Sequence, residues 1–437
     1  MSRQLLFGGN GRVDDLLIRG ARVLDPIEGV DATLDVRIDA GVVSELGTGL
    51  EASGHRTIEA AGLLLAPAFV DPHVHLRTPG REDEEDIASG TAAAAAGGFC
   101  AILAMPNTDP VVDSAAVLGS LVETAIETAA IPVGFLASIT KELAGAELTE
   151  MVELAERGAA GFTDDGKPVV SASLLRRALQ YNHASGGLIA LHEEDPALTR
   201  GAHMHEGPVS AALGLGGYPS IGESTMVERD LALAGYERSP LHILHLSARE
   251  SVEAVRRAQG AGVAASAEVS PHHLCLTDEA VRSLDSNVKM SPPLRAEEDR
   301  QALIAGLRDG TIAAIATDHA PHARHEKEVP FEEAPNGVTG LETAFASLYT
   351  RLVEPGVLPL ELILERMSAG PAGIWGLPRP RVAAGAKANL VLLDLGASWR
   401  VEERGLRSKS TNSWLLGETL HGAVAMTVAN GKVAFER

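Results

Sequence analysis

The chain has 437 residues, 45% of them hydrophobic, which suits one large α/β core with an accessory domain. A formal net charge of −22 and only 3% aromatic residues argue against a nucleic-acid partner, which needs a basic footprint and stacking rings. The same charge means that any anionic substrate must be held by local cations against the overall field. Cys100 and Cys275 are too few for a disulfide framework, and a reducing cytoplasm is the expected setting. The opening MSRQLLFGGNGRVDD lacks a signal-peptide pattern, and no apolar run reaches the roughly 18 residues of a membrane span.

The first segment reads as short strands separated by Gly and Asp turns: DDLLIRGARVLD, LDVRIDAGVVSEL and HRTIEAAGLLLA. The tail reads the same way, with NLVLLDL, WRVEE and VAMTVANGKVAFE, the last turning at Asn430–Gly431. Residues 1–64 and 376–437 are therefore expected to build one small β-sandwich domain together. Residues 65–375 are expected to form the domain between them. There, eight apolar runs alternate with amphipathic stretches: AFVDPHVHL, FCAILAMP, PVGFLASIT, AAGFTDD, LIALHEE, LHILHLS, AASAEVSP and IAAIATDHAP. Helices are expected between them, for example over Ser114–Thr128, Leu174–His183 and Ser251–Gln259. Eight such units predict the α/β class and a closed (β/α)8 TIM-type barrel.

Nearly every one of these runs ends in residues that bind metal or move protons, and barrel enzymes put their chemistry at that C-terminal face. His73 and His75 end the first run, Asn107 the second, and Asp164 and Asp165 the fourth. His192, His245, His272 with His273, and Asp318 end the last four. Turn preference explains the Asn and Asp residues but not histidine at four ends. His73 and His75 are two apart, so on a strand both imidazoles point to one side and reach one ion. His192 and His245 are available for a second ion, and Asp165 is placed to bridge the two. Imidazole with carboxylate suits zinc better than magnesium or calcium. Asp318 suits proton transfer, and is otherwise a helix-capping aspartate. Arg77 offers a two-pronged guanidinium for a substrate carboxylate, and otherwise makes a surface salt bridge with the Glu82–Asp86 run, itself read as a solvated helix start. Asn107 donates an amide hydrogen bond or simply makes a turn. His203, His205 and His325 lie in loops that could cover the site, and His242 and His272 read as supporting or core groups.

VDPHVHLRTPG, MPNTDP, GFTDDG, ALHEED, HILHLS, EVSPHHL, KMSPPLR and ATDHAPH resemble, in order, the motifs of class I dihydroorotases, cyclic amidases of the amidohydrolase superfamily. The resemblance spans almost the whole chain, including GLRSKSTNSWLLGETLHGAV. It implies two Zn2+ ions per subunit, held by His73 and His75, by His192 and His245, and by Asp165 between them. It implies Asp318 both as a metal ligand and as the catalytic acid and base, and a substrate pocket of His75, Arg77, Asn107, Ser291, His322, Asn336 and Gly337. Relatives often carry a carboxylated lysine as the bridge. Here Phe162–Thr163 precede the acidic pair, which favours a bridge without a modified lysine; Lys141 and Lys167 are the remaining lysine alternatives. Ser291 departs from the family's usual Asn, keeping a donor and an acceptor at shorter reach. The implied reaction is reversible hydrolysis of (S)-dihydroorotate to N-carbamoyl-L-aspartate in de novo pyrimidine (UMP) biosynthesis. Allantoinase and hydantoinase-like amidases are the enzymatic alternatives, and a non-catalytic partner of aspartate transcarbamoylase is the other. A homodimer and an association with aspartate transcarbamoylase are the partners the resemblance implies.

Overall fold

The computed structural model describes residues 4–9, 11 and 13–437. Among the described residues, eight parallel strands follow one another in chain order around a barrel: β1 (Phe69–Val74), β2 (Phe99–Ala104), β3 (Val133–Ala137), β4 (Gly161–Thr163), β5 (Ile189–Leu191), β6 (Leu241–Ile243), β7 (Ala265–Val269) and β8 (Ala314–Ile315). The ring closes where β1 meets the residues after β8: Val74 bridges His319 in parallel, and the His75 amide donates to the His319 carbonyl at 2.8 Å. The runs are continuous rather than alternating because β1, β2 and β3 are buried on both faces, as a helix-covered parallel sheet requires.

The helices pack on the outside by their apolar stripes. In Arg249–Gly260 the buried positions are Ser251, Val252, Ala254 and Val255, one face of a helix. The helix Ile87–Ala96 begins at Asp86, whose carboxylate accepts the Ser89 amide at 2.7 Å. His272 and His273 open a short helix, Pro271–Cys275, directly after β7.

The second unit is one eight-stranded sheet. Leu16–Asp25, Val30–Asp39, Val42–Gly47, Arg56–Glu59 and Leu64–Pro67 come from the start of the chain, and Leu390–Arg400, Thr419–Ala429 and Lys432–Glu436 from its end. The halves join where Leu64–Pro67 pairs antiparallel with Leu390–Arg400. The sheet curls until the Val43 amide donates to the Ala386 carbonyl at 2.9 Å, enclosing a core that includes Leu16, Val36, Leu65, Leu390 and Met426. Asn430 and Gly431 both have positive φ (52° and 82°) in the terminal hairpin, as Asn-Gly predicts. NLVLLDL and WRVEE are not two strands: residues 390–400 run through as one, with a register irregularity between Asp394 and Ser398. Among the described residues no helix is long and apolar enough to cross a membrane.

Candidate active site

The strand ends converge on one buried cluster. His73 and His75, both on the same side of the end of β1, put their Nε2 atoms 3.5 and 3.4 Å from Asp165 Oδ2. The other oxygen of Asp165 lies 3.4 Å from His245 Nε2 and 3.8 Å from His192 Nδ1. One carboxylate thus stands between two imidazole pairs, giving two sets of three ligand atoms that share it. Asp164 faces the other way and accepts from the Ile139 amide (2.7 Å), the Thr140 amide (3.0 Å) and the Thr140 hydroxyl. Asp318 Oδ1 lies 3.2 Å from His75 Nε2 and 3.4 Å from His73 Nε2. His203, His205 and His325 belong to neither set.

The donor set fits a pair of divalent cations. Three of the imidazoles have their remote nitrogen against an acceptor: His73 Nδ1 on Glu268 at 2.7 Å, His75 Nδ1 on Asn107 Oδ1 at 2.9 Å, and His192 Nε2 on Glu194 at 3.3 Å. Each contact keeps the proton on the remote nitrogen and turns a bare lone pair inward. His73 Nε2 and Asp165 Oδ1 are buried without a hydrogen-bond partner, which a native interior rarely tolerates. The electrostatics agree. Burial opposes charge on His73, yet the carboxylates of Asp165 and Asp318 outweigh it and raise its pKa well above the ordinary value. Burial would likewise raise Asp165, but the imidazoles of His73, His245 and His75 hold it well below. The pocket favours positive charge at its centre.

Backbone strain collects here. Arg77, His245 and Asp318 have φ of 58°, 28° and 49°, a region that costs a non-glycine residue about 1–3 kcal/mol and persists where surrounding contacts enforce it.

Beyond His75 lies a polar wall. Arg77 is buried, not a surface residue, and the Glu82–Asp86 run is not solvated as a whole. Glu84 Oε2 lies 3.1 Å from Arg77 Nε, and its other oxygen pairs with Arg81. Glu85 is buried against His319 at 3.2 Å and accepts from Ser408. Glu82 and Asp83 are exposed and Asp86 caps the helix, as a plain helix start predicts. Arg77 Nε also donates to the Pro321 carbonyl at 3.0 Å, and Nη2 stands 3.4 Å from His322 Nε2. His322 Nε2 donates to the Asn336 carbonyl at 2.8 Å. Burial, then Arg77, depress the His322 pKa to about 3, so its imidazole is neutral. Gly337 has φ +124°, and a side chain there would meet Ala320 Cβ at 2.7 Å and His322 Nε2 at 3.1 Å. Its amide donates to the Lys289 carbonyl at 3.0 Å, which brings the segment with Ser291 alongside. Glu84, His322 and Glu326 form a third group of ligand-bearing side chains, but Arg77 and Arg81 already neutralise its carboxylates.

The family described as Dihydro-orotase-like matches residues 62–251. A dihydroorotase of Geobacter metallireducens is 46% identical over 424 residues, spanning 97% of this chain and 100% of the relative. One of Trichlorobacter lovleyi is 46% identical over 422 residues, spanning 96% and 99%. The chain belongs to the dihydroorotase family. Among solved structures, the L-hydantoinase (dihydropyrimidinase) of Arthrobacter aurescens has a TM-score of 0.85 at 26% identity, covering 97% of this chain and 96% of its own. The dihydropyrimidinase of Brevibacillus agri shares the fold, with a TM-score of 0.83 at 23% identity over 97% and 95%. The dihydroorotase resemblance of HVHLR, FTDDG and TDHAPH, read over almost the whole chain, matches the 97% that the Geobacter metallireducens relative covers.

Sequence reasoning overlooked Glu268, Glu84, Glu194 and Asn412. Glu268 carried a usable signal, since a lone carboxylate in a strand of otherwise small uncharged residues, Ala265–Val269, is seldom buried without a task.

Proposed function

We propose that this chain is a zinc-dependent dihydroorotase that interconverts (S)-dihydroorotate and N-carbamoyl-L-aspartate in pyrimidine synthesis in the cytoplasm. The observation that carries the reading is a single carboxylate, Asp165, shared by two imidazole pairs, with Asp318 and the buried Arg77 on the same side. His73, His75, His192, His245 and Asp165 would hold two zinc ions, which when bound polarise a carbonyl and lower the pKa of a water. Asp318 takes one proton from the attacking water and returns it to the ring nitrogen as the amide C–N bond breaks, and the second water proton leaves to solvent as the carboxylate forms. Arg77 and the Asn107 amide fix the exocyclic carboxylate, so that binding energy becomes orientation, while neutral His322 and the backbone at Asn336 and Gly337 border the pyrimidine ring. Ser291 borders that pocket. Coupling to aspartate transcarbamoylase, which would supply carbamoyl-aspartate, and a homodimeric assembly complete the proposal.

The structural likeness to L-hydantoinase gives the ring-opening alternative its weight. A carboxylate-bearing substrate is favoured by Arg77, a guanidinium kept inside a chain of net charge −22. Side-by-side turnover of dihydroorotate, hydantoin and allantoin tests the reading. Dihydroorotate is expected to be preferred by orders of magnitude, and a preference for either of the others rejects it.

A further inference from the structure

The pocket wall is not self-supporting. It is tied down by a segment from the far end of the chain, residues 408–412, which lies between the two loops that carry Arg77 and His322. On one side the Ser408 hydroxyl donates to Glu85, Lys409 Nζ donates to the Glu82 carbonyl at 2.7 Å, and the Ser410 hydroxyl donates to the Glu84 carbonyl at 2.7 Å. On the other side everything passes through Asn412. Its Oδ1 accepts the His322 amide at 3.1 Å, and its Nδ2 donates to the Ala320 carbonyl at 3.1 Å and the Gly337 carbonyl at 3.2 Å. Its own carbonyl accepts the Thr339 amide at 3.0 Å. Asn412 is buried, so these bonds do not compete with bulk water.

The amide is used at both ends. A carboxamide has one acceptor and one donor group, and both are spent on two loops that also meet directly, through the Ala320 amide on the Val338 carbonyl and the His322 imidazole on the Asn336 carbonyl. Residues 320–322 descend from the end of β8, and residues 337–339 return from the excursion that carries Asn336. The two loops touch at a lone parallel bridge, His319 to Val338, where the Ala320 amide donates to the Val338 carbonyl at 2.9 Å; residues 320–322, 337 and 339 themselves belong to no strand or helix. From this geometry we infer that Asn412 is a positioning residue for the substrate pocket: it adds a buried side-chain cross-link to those direct contacts, tying the His322 amide to the Ala320 and Gly337 carbonyls, and through it steadies the fit of the substrate. The inference rests on the proposed substrate role of His322 and Gly337. Asn412 is not a catalytic residue, because it bonds to the backbone that carries the pocket and not to the pocket's centre.

The test uses the full-length, metal-loaded enzyme with dihydroorotate and carbamoyl-aspartate. Asn412→Ala removes all three side-chain bonds, and Asn412→Asp keeps the acceptor for the His322 amide while losing both donations. Both variants are expected to keep the wild-type metal content and to raise KM about tenfold while kcat stays within about threefold. A KM within about twofold of wild type in either variant, or a fall in kcat larger than the rise in KM, overturns the assignment. Should neither variant fold, hydrogen exchange in the wild-type holoenzyme reads the side-chain bond to the His322 amide. That amide is then expected to exchange as slowly as those of β1, and exchange at the rate of an exposed loop overturns the assignment. Failure of the wild type to turn over dihydroorotate rejects the function itself, whereas an active wild type with unaltered variants rejects only the role of Asn412.

Discussion

Glu268 Oε1 lies 2.7 Å from His73 Nδ1, and neither side chain has any exposed surface. The contact fixes the His73 ring so that Nε2 faces Asp165 and Asp318. Glu268 also receives His242 at 3.0 Å, and the two imidazoles, against the opposing effect of burial, bring its pKa to about 2. Glu268→Gln keeps the shape but removes the charge that makes His73 a strong ligand. Metal affinity is expected to fall about 10- to 100-fold, read by dialysis against a graded chelator with metal analysis.

Asp165 and Asp164 are adjacent in sequence and opposite in orientation. Asp165→Asn is expected to lower metal affinity by at least about 100-fold, because both sets of ligands lose their shared member. Asp164→Asn leaves the cluster's own atoms in place and is expected to cost about 1–3 kcal/mol of stability instead, through the Ile139 and Thr140 contacts. Paired metal analysis and urea unfolding of the two variants separates these roles.

Arg77→Lys keeps a cation and discards the planar fork. KM for dihydroorotate is expected to rise about 10- to 100-fold with metal content unchanged. A matching loss in metal would mean that the residue supports the cluster rather than the substrate.

His273 is buried, with Nε2 donating to the Pro292 carbonyl at 3.0 Å, and burial lowers its pKa to about 4. The unfolded chain titrates this group near 6.5, so between 6.5 and 4 it binds protons that the folded chain refuses. The stability this neutral imidazole contributes is complete above pH 6.5 and is lost as pH falls towards 4. Relative to wild type, His273→Gln is expected to gain about 2–3 kcal/mol on going from pH 7 to pH 4, measured by chemical denaturation at each pH.

The eight-strand order and the convergence of His73, His75, His192 and His245 were legible because parallel barrel strands are apolar runs whose ends stand out chemically. The orientation of Asp164 against Asp165 was not, since a strand ending in two carboxylates gives no sign of which one the following turn will capture; here the amides of Ile139 and Thr140 capture Asp164. The Glu82–Asp86 run misled for a related reason. Five acidic residues before a helix look solvated unless their partners are known: Glu82 and Asp83 are indeed exposed, but Glu84 and Glu85 are buried against Arg77, Arg81 and His319, which come from two separate segments. Asn412 was hidden by distance in sequence, its partners lying at least 70 residues away.

The most direct test of the central claim is turnover of dihydroorotate by Asp318→Asn, measured beside its zinc stoichiometry. Two zinc ions per chain in both wild type and variant, with kcat reduced about 10²- to 10⁴-fold in the variant, is the expected result. A variant that turns over at the wild-type rate, or a wild type that turns over without bound metal, contradicts the account.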